Sequence, residues 1–268
     1  EMNTQTHTET SAVLPDWRGA FRLDGQRALV TGGGSGLGLA IARCLAASGA
    51  EVVLSGRRAD LLDEAATAIG PLAKTAPLDL RDLASIKSFA AGVEEAHGQI
   101  DIVVNNAGNT VKKPFEESDI ADFDEVMDVH VRGALELTRQ FLPGQIARGR
   151  GCVLFTASMT SFIGQPLVMG YTTAKTALTG AVRGLSAEFA GRGIRVNAVA
   201  PGWIDTDLFQ KATANDPARR AKIMGRIQMN RLGSAEEIGW TCAFLASPAA
   251  GYITGQTIIV DGGAVVGF

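Results

Sequence analysis

Residues 31–38 read Thr-Gly-Gly-Gly-Ser-Gly-Leu-Gly, between an apolar run (Ala28, Leu29, Val30) and a helical pattern of Leu37, Ala40, Ile41, Cys44 and Leu45. A strand that ends in a glycine turn and enters a helix offers bare backbone N–H groups and the positive end of a helix dipole, a ready seat for a pyrophosphate. The spacing is G-x-x-x-G-x-G rather than G-x-G-x-x-G, and glycines also make ordinary loops. Context constrains the reading: Glu51 to Leu54 forms a second strand, completing the βαβ unit that such a turn requires.

The rest of the chain repeats that alternation. Ala76 to Leu80 reads as a short strand carrying Asp79, and Ile100 to Val104 as a buried strand closing on Asn105-Asn106-Ala107-Gly108. A long amphipathic stretch follows from Ile120 to Arg148. Then come a strand at Cys152 to Thr156, a helix at Tyr171 to Ala190, a strand at Arg195 to Val199 before Pro201-Gly202, and a last strand at Thr257 to Val260 before Asp261-Gly262-Gly263. Nearly continuous apolar strands alternating with helices imply an α/β fold: one doubly wound parallel β-sheet with helices on both faces and ligands beyond the carboxyl ends of the strands. The segment 203–232 is polar and poor in strand formers, which predicts a pair of short helices, read either as a lid or as a plain surface insertion.

Composition narrows the function classes. With 268 residues, 46% of them hydrophobic, the chain suits one sizeable core. Lys and Arg number 25 against 28 Asp and Glu, and no basic run points to nucleic acid. Cys44, Cys152 and Cys242 are scattered and lack metal-ligand spacing, so no metal site is expected and they read as small buried hydrophobes of a reducing, cytoplasmic compartment. No apolar run is long enough to cross a bilayer, and the start lacks the layout of a secretory signal. Glu1 to about Asp16 is polar and threonine-rich, so residues 1–20 read as a flexible tail and 21–268 as the domain.

A second signal is Tyr171-Thr-Thr-Ala-Lys175, which sets a phenol and an ammonium one helical turn apart, where the cation favours the phenolate. Alone, this spacing is also that of any helix face. Ser158 follows a strand thirteen positions before Tyr171.

With the glycine turn, Asp79-Leu80, Asn105-Asn106-Ala107-Gly108, Ser158, Tyr171 with Lys175, Asn197 to Gly202, Thr254-Gly255 and Asp261-Gly262-Gly263 in this order, the chain from about Phe21 onward resembles the short-chain dehydrogenase/reductase family. The resemblance implies a Rossmann-like fold, a nicotinamide cofactor and reversible hydride transfer between alcohol and carbonyl. It also implies that Tyr171 is the general acid/base, that Ser158 bonds the substrate oxygen, and that Lys175 holds the nicotinamide ribose and, together with a positively charged nicotinamide, lowers the phenol. It places cofactor contacts at Gly32, Ser35, Gly36, Leu37 and Gly38, at Ser55 and Arg57, at Asp79 and Leu80, and at Asn106, Ala107 and Gly108. Further contacts fall at Tyr171, Lys175, Pro201, Gly202, Ile204 and Thr206. Where the family carries a water-holding asparagine, this chain has His130, read either as a tolerated helix residue or as a member of a proton relay that titrates near neutrality.

Cofactor choice turns on the end of the second strand, Leu54-Ser55-Gly56-Arg57-Arg58. An acid there would accept from the adenosine ribose and repel a 2′-phosphate; Gly56 stands in its place and Arg57 follows, which favours NADP over NAD. The substrate pocket is expected from Asn109, Thr110, Met159, Thr160, Gln165, Met169, Trp203 and Phe209, with Lys112, Lys113 or a lid arginine for a carboxylate. The N-terminal half looks like the gluconate 5-dehydrogenase branch, implying a sugar acid or polyol. A 3-oxoacyl carrier-protein or acyl-CoA reductase is the rival enzyme. A cofactor-sensing binding protein is the non-enzyme alternative, although such proteins lose the tyrosine or lysine kept here. Apolar positions at Val126, Met127, Val131, Leu135 and Leu137, with a small-residue stripe at Ala174, Ala177, Leu178, Ala181 and Leu185, predict a homo-oligomer, a tetramer by the resemblance; the other reading gives the whole stripe to the chain's own sheet.

Overall fold

In the computed structural model, which describes residues 16–267, seven strands form one sheet. They are β1 (Arg27–Thr31), β2 (Glu51–Gly56), β3 (Ala73–Pro77), β4 (Ile102–Asn105), β5 (Gly151–Thr156), β6 (Ile194–Pro201) and β7 (Thr257–Val260), in the order β3-β2-β1-β4-β5-β6-β7. Every pairing is parallel. The order runs outward from β1 to β3, then restarts on the other edge of β1. The carboxyl ends of β1 and β4 therefore diverge into a crevice.

The strands earn this arrangement by burying both faces. Val30, Val52, Leu54, Val104 and Leu154 pack against α2 (Gly36–Ala47), α3 (Ala59–Ile69) and α10 (Ala235–Ala246), through Ile41, Leu45, Leu62, Ile238 and Cys242. Their neighbours in sequence, Leu29, Val53, Val103, Val153 and Phe155, point the other way. That face meets α4 (Leu83–His97), α6 (Ala134–Arg148) and α7 (Met169–Phe189), through Ile86, Val93, Phe141, Leu142, Leu178 and Val182. Each such side chain contributes about 1.5–3 kcal/mol when fully removed from water. At the amino end of the sheet the Asp101 carboxylate accepts from the Arg27 N–H at 3.0 Å and pairs with Arg148 and Arg150, tying β4 to β1.

Three sequence expectations need correction. The third strand is Ala73–Pro77, not Ala76 to Leu80. Leu78 and Leu80 are buried because they pack under α4 with Ile86 and Ala90, beyond the strand's end. The amphipathic stretch 120–148 is interrupted: α5 (Ile120–Met127) gives way to a wider π turn over Asp128–Gly133 before α6. At that turn a side chain on Gly133 would strike the Leu80 carbonyl, so the helix and the post-β3 loop pass at backbone distance. Third, residues 1–15 of the expected tail lie outside the described residues, but α1 (Trp17–Ala20) is helical, with Asp16 accepting from the Gly19 N–H at 3.0 Å. The region 203–232 does form two short helices, α8 (Asp207–Thr213) and α9 (Pro217–Arg226), each started by a side-chain cap, Thr206 and Asp216.

The β1–α2 turn folds on itself because its glycines lack side chains. Gly32 and Gly36 have φ of +67° and +53°. A Cβ on Gly38 would be driven into the Gly32 carbonyl, whereas one on Gly34 would meet Leu61 only at ordinary contact distance, 3.4 Å. Gly38→Ala is therefore expected to destabilise the protein by about 1–3 kcal/mol. Gly34→Ala, as a surface control, should stay within about 0.5 kcal/mol of the parent. Urea unfolding midpoints of the two variants check this; equal midpoints would contradict the close packing of this turn.

Candidate active site

All the loops singled out by sequence leave the carboxyl ends of strands, and one hydroxyl joins those at the crevice. The Thr31 Oγ1 accepts from the backbone N–H groups of Asn106 (3.0 Å) and Ala107 (3.1 Å) and donates to the Val104 carbonyl (3.2 Å). The Asn106 amide donates back to the Thr31 carbonyl at 3.1 Å and accepts from the Thr156 hydroxyl at 3.3 Å. The Thr156 carbonyl in turn accepts from the Lys175 ammonium. Three strand ends and the ammonium are thus joined by one run of hydrogen bonds. Sequence reasoning did not assign Thr31 or Thr156 a role; the position of each as the last residue of its strand was the available signal.

Beside this crevice the turn is packed tightly on itself, since a side chain on Gly32 would crowd Ala107 and Asn106 and one on Gly38 would strike the Gly32 carbonyl, whereas Gly36 has open space before it. Ser35, the N-cap of α2, makes no side-chain bond to the helix, so the first turn of α2 has no side-chain cap. The Leu37 side chain packs against the core. At the end of β2 the Ser55 hydroxyl is buried without a partner among the described residues, and Arg57 is exposed. Asp79 is paired with Arg81 at 2.6 Å; that guanidinium, with a smaller contribution from the Arg57 charge, holds the Asp79 carboxyl below its ordinary value. Leu80 is buried. These features fit a dinucleotide with its pyrophosphate on the glycine turn and its adenosine end toward Arg57.

Past β6, Gly202 is pressed on Asp261, whose carboxylate accepts from the N–H groups of Gly263 and Val265. Ile204 is buried and bridges to Gly233, and Thr206 caps α8, so this strand of the site is a rigid lead-in to the two short helices. Pro201 closes β6 itself.

Ser158, Tyr171 and Lys175 meet between the end of β5 and the first two turns of α7. Ser158 caps a short turn by accepting from the Thr160 N–H at 3.1 Å. The Lys175 Nζ lies 5.5 Å from the centre of the Tyr171 ring. Burial pushes the Tyr171 phenol above its ordinary value, with the Ser158 hydroxyl opposing, and pushes the Lys175 ammonium down to about 7. The lowering of the phenol is expected of Lys175 together with a nicotinamide cation; in the protein alone, desolvation drives both groups toward their neutral forms.

His130 is not a group that titrates near neutrality. Burial and the nearby Lys175 charge push it down to about 3. Its position in the π turn brings its ring edge-on to Tyr171, the centroids 5.5 Å apart.

The substrate side is assembled only in part. A cavity of about 370 Å³ lies between α5, the loop before it and the start of α7, lined by Val111, Lys113, Phe123, Val126, Leu167 and Met169. Of the expected lining residues Met169 borders it, as does Lys113, whose ammonium pairs with Asp122 at 2.6 Å. Met159 and Thr160 are buried, and Trp203 and Phe209 pack against Ile223 and Ile227 of the 203–232 segment. Asn109 and Gln165 are half-buried, and Thr110 and Lys112 are exposed.

Comparison with known proteins agrees with this geometry. Residues 32–265 match the family model described as enoyl-(acyl carrier protein) reductase. The chain is 40% identical over 254 residues to galactitol 2-dehydrogenase (L-tagatose-forming) of Cereibacter sphaeroides, covering 94% of this chain and 99% of that protein. It is 35% identical over 249 residues to gluconate 5-dehydrogenase of Gluconobacter oxydans strain 621H, covering 92% and 97%. The crystal structure of a gluconate 5-dehydrogenase from Burkholderia cenocepacia J2315, in complex with NADP and tartrate, superposes with a TM-score of 0.89 at 33% identity, over 94% of this chain and 99% of that one. With the seven-stranded parallel sheet and the crevice loops in place, the chain belongs to the short-chain dehydrogenase/reductase family.

Proposed function

We infer that the chain is an NADP-dependent oxidoreductase that interconverts a secondary alcohol and a ketone on a sugar acid or polyol. The observation that carries this reading is the meeting of Ser158, Tyr171 and Lys175 at the crevice, beside a glycine turn that opens a helix with no side-chain cap. The relatives named for galactitol and gluconate support the substrate class, and the NADP held by the Burkholderia structure supports the cofactor. A nicotinamide bound here would supply the hydride exchanged with the substrate carbon. The turn formed by Gly32, Ser35, Gly36, Leu37 and Gly38 would hold the pyrophosphate, and Ser55 and Arg57 the phosphorylated ribose. Asp79 and Leu80 would flank the adenine, and Asn106 to Gly108, Pro201, Gly202, Ile204 and Thr206 would wall the nicotinamide half.

In this reading Tyr171 gives or takes the proton at the substrate oxygen and Ser158 donates a hydrogen bond to that oxygen. A phenol at its ordinary value of ~10 is a poor base at neutral pH. The Lys175 ammonium stabilises the phenolate wherever it keeps its charge, and a desolvated pocket makes that attraction stronger. Tyr171→Phe removes the proton and keeps the ring, so kcat is expected to fall by about 10²–10⁴-fold while NADP binding persists. Stopped-flow or steady-state turnover on an identified sugar acid or polyol, with NADP affinity measured separately, checks this.

Arg57 supports the choice of NADP through a charge-assisted bond to the 2′-phosphate. Its loss costs about 1.5–3 kcal/mol, at least tenfold in affinity for NADP, and leaves NAD nearly untouched. Comparing kcat/KM for both cofactors in Arg57→Ala decides it; equal losses, or a parent enzyme that prefers NAD, would contradict the role.

A second reading, reduction of a 3-oxoacyl thioester, draws on the largely apolar cavity beside Met169 and on the wording of the family model. A substrate screen over sugar acids, polyols and acyl ketones separates the two. Turnover of any of these also separates both from a cofactor-sensing binding protein.

The proposal extends to a homo-tetramer in the reducing cytoplasm. Val126, Leu137, Ala174 and Leu178 are consumed by the chain's own core, but Met127, Val131, Leu135, Ala177, Ala181 and Leu185 remain only half-buried, which supports a contact with a symmetry mate. The three cysteines are buried and unpaired, and among the described residues no helix is long and apolar enough to cross a membrane. Light scattering is expected to give a mass near four chains; a monodisperse mass near one chain would overturn the assembly.

A further inference from the structure

β2 and β3 leave the sheet side by side. Gly56 is in register with Pro77, and the Leu78 N–H donates to the Gly56 carbonyl at 2.9 Å, so Arg57 and Arg58 at one exit run beside Leu78 and Asp79 at the other. Leu80 is buried under α4, which turns its neighbours Asp79 and Arg81 outward together. The Asp82 N–H donates to the Asp79 carbonyl at 3.1 Å and closes the turn. Within it the Asp79 carboxylate is gripped by Arg81: one oxygen accepts from the Arg81 backbone N–H at 3.0 Å, both accept from Nε at 3.1 Å, and the second accepts from Nη2 at 2.6 Å. Such a two-pronged fit is the geometry in which a partly exposed ion pair holds its place. Arg57, by contrast, is exposed and joins none of the ion pairs among the described residues. Its charge still reaches Asp79, as the smallest of the influences that favour the carboxylate, behind those of Arg81. The end of β2 carries Gly56 where an acid would exclude a 2′-phosphate, yet the exit of β3 brings an acid back beside it.

We propose that Arg81 is a positioning residue for cofactor choice that acts through Asp79: by holding both carboxylate oxygens it keeps the acid from capturing Arg57 and from repelling the 2′-phosphate, and so leaves Arg57 free for NADP. The inference rests on the reading of Arg57 as the partner of that phosphate. An unpaired carboxylate beside Arg57 would attract the guanidinium and oppose the incoming anion at once. Arg81 removes both effects without touching the phosphate itself. Among the described residues the other acid whose charge reaches Arg81 is Glu125, and its influence is the smallest. Coulomb interactions between partly exposed groups are screened, so the effect is on the order of threefold to tenfold, less than the loss of the direct bond from Arg57.

The test titrates the whole chain with NADPH and with NADH, followed by the fluorescence of the reduced nicotinamide, and reads the ratio of the two affinities. Every contact to the part that the two dinucleotides share cancels in that ratio, including any contact of Asp79 with the adenine. Arg81→Ala is expected to lower the preference for NADPH by about threefold to tenfold while the affinity for NADH is kept. Adding Asp79→Asn to Arg81→Ala is expected to restore the parent preference, because no acid is left to neutralise. A preference unchanged in Arg81→Ala overturns the proposal and leaves Arg81 a part of the turn alone. A preference that falls and is not restored in the double variant overturns it too, and gives Arg81 a direct bond to the phosphate. Arg57→Ala run alongside separates this failure from that of the cofactor reading. If Arg57→Ala keeps the parent preference for NADPH, both fall together; if Arg57→Ala loses it and Arg81→Ala does not, the role of Arg81 falls alone.

Discussion

The site depends on the bonds that Thr31 makes across the reversal of strand order. β1 and β4 are neighbours in the sheet but far apart in sequence, and their carboxyl ends would separate into two loops with no common frame. A single buried hydroxyl takes two N–H donors from the β4 loop and gives its own proton to the β4 carbonyl. Asn106 then passes the constraint on to Thr156, and Thr156 to Lys175. In a low-dielectric setting each bond in such a run is stronger than in water and each missing partner is costly. The glycine turn, the β4 loop and the ammonium therefore hold their places relative to one another without a bound ligand.

That frame explains why two ionisable groups are kept where neither ionises easily. Lys175 and Tyr171 both lose water by being built into it, and the protein alone pushes them toward neutrality. The same desolvation strengthens any opposite charge brought near them. A pocket of this kind is poised: modest charge from an incoming ligand changes the protonation of its residues more than it would on a surface.

How much of this was legible in the sequence varied with burial. β1, β2, β4, β5 and β6 are buried along nearly their whole length, and their apolar runs announced them. β3 is an edge strand with one fully buried residue, so Lys74 and Thr75 hid it while Leu78 and Leu80, buried by α4, drew the boundary too late. Ser158, Tyr171 and Lys175 were legible because their spacing follows from one strand, one turn and one helix. The π turn was not, because it answers the close approach of Gly133 to Leu80, a contact between segments some fifty residues apart. The ion pair between Lys113 and Asp122 was hidden for the same reason: it belongs to the capping box that starts α5, and only the fold brings the loop lysine onto it.

The strand order also carries a consequence for how the chain assembles during synthesis. β1, β2 and β3 lie side by side in the order in which they are made, so this half can pair as it emerges. The other edge of β1 stays unpaired until β4 has been made, and that edge is flanked by the fully buried Ala28, Leu29 and Val30. An apolar strand edge left open is a template for pairing with the wrong chain. Once β4 docks, with Asp101 capturing the Arg27 N–H at its foot, β5, β6 and β7 each add to the strand made just before. The last-arriving step of the first half and the founding step of the second are thus the same event, the closing of β4 on β1, and the interval before it is when a nascent chain of this topology is most exposed to misassembly.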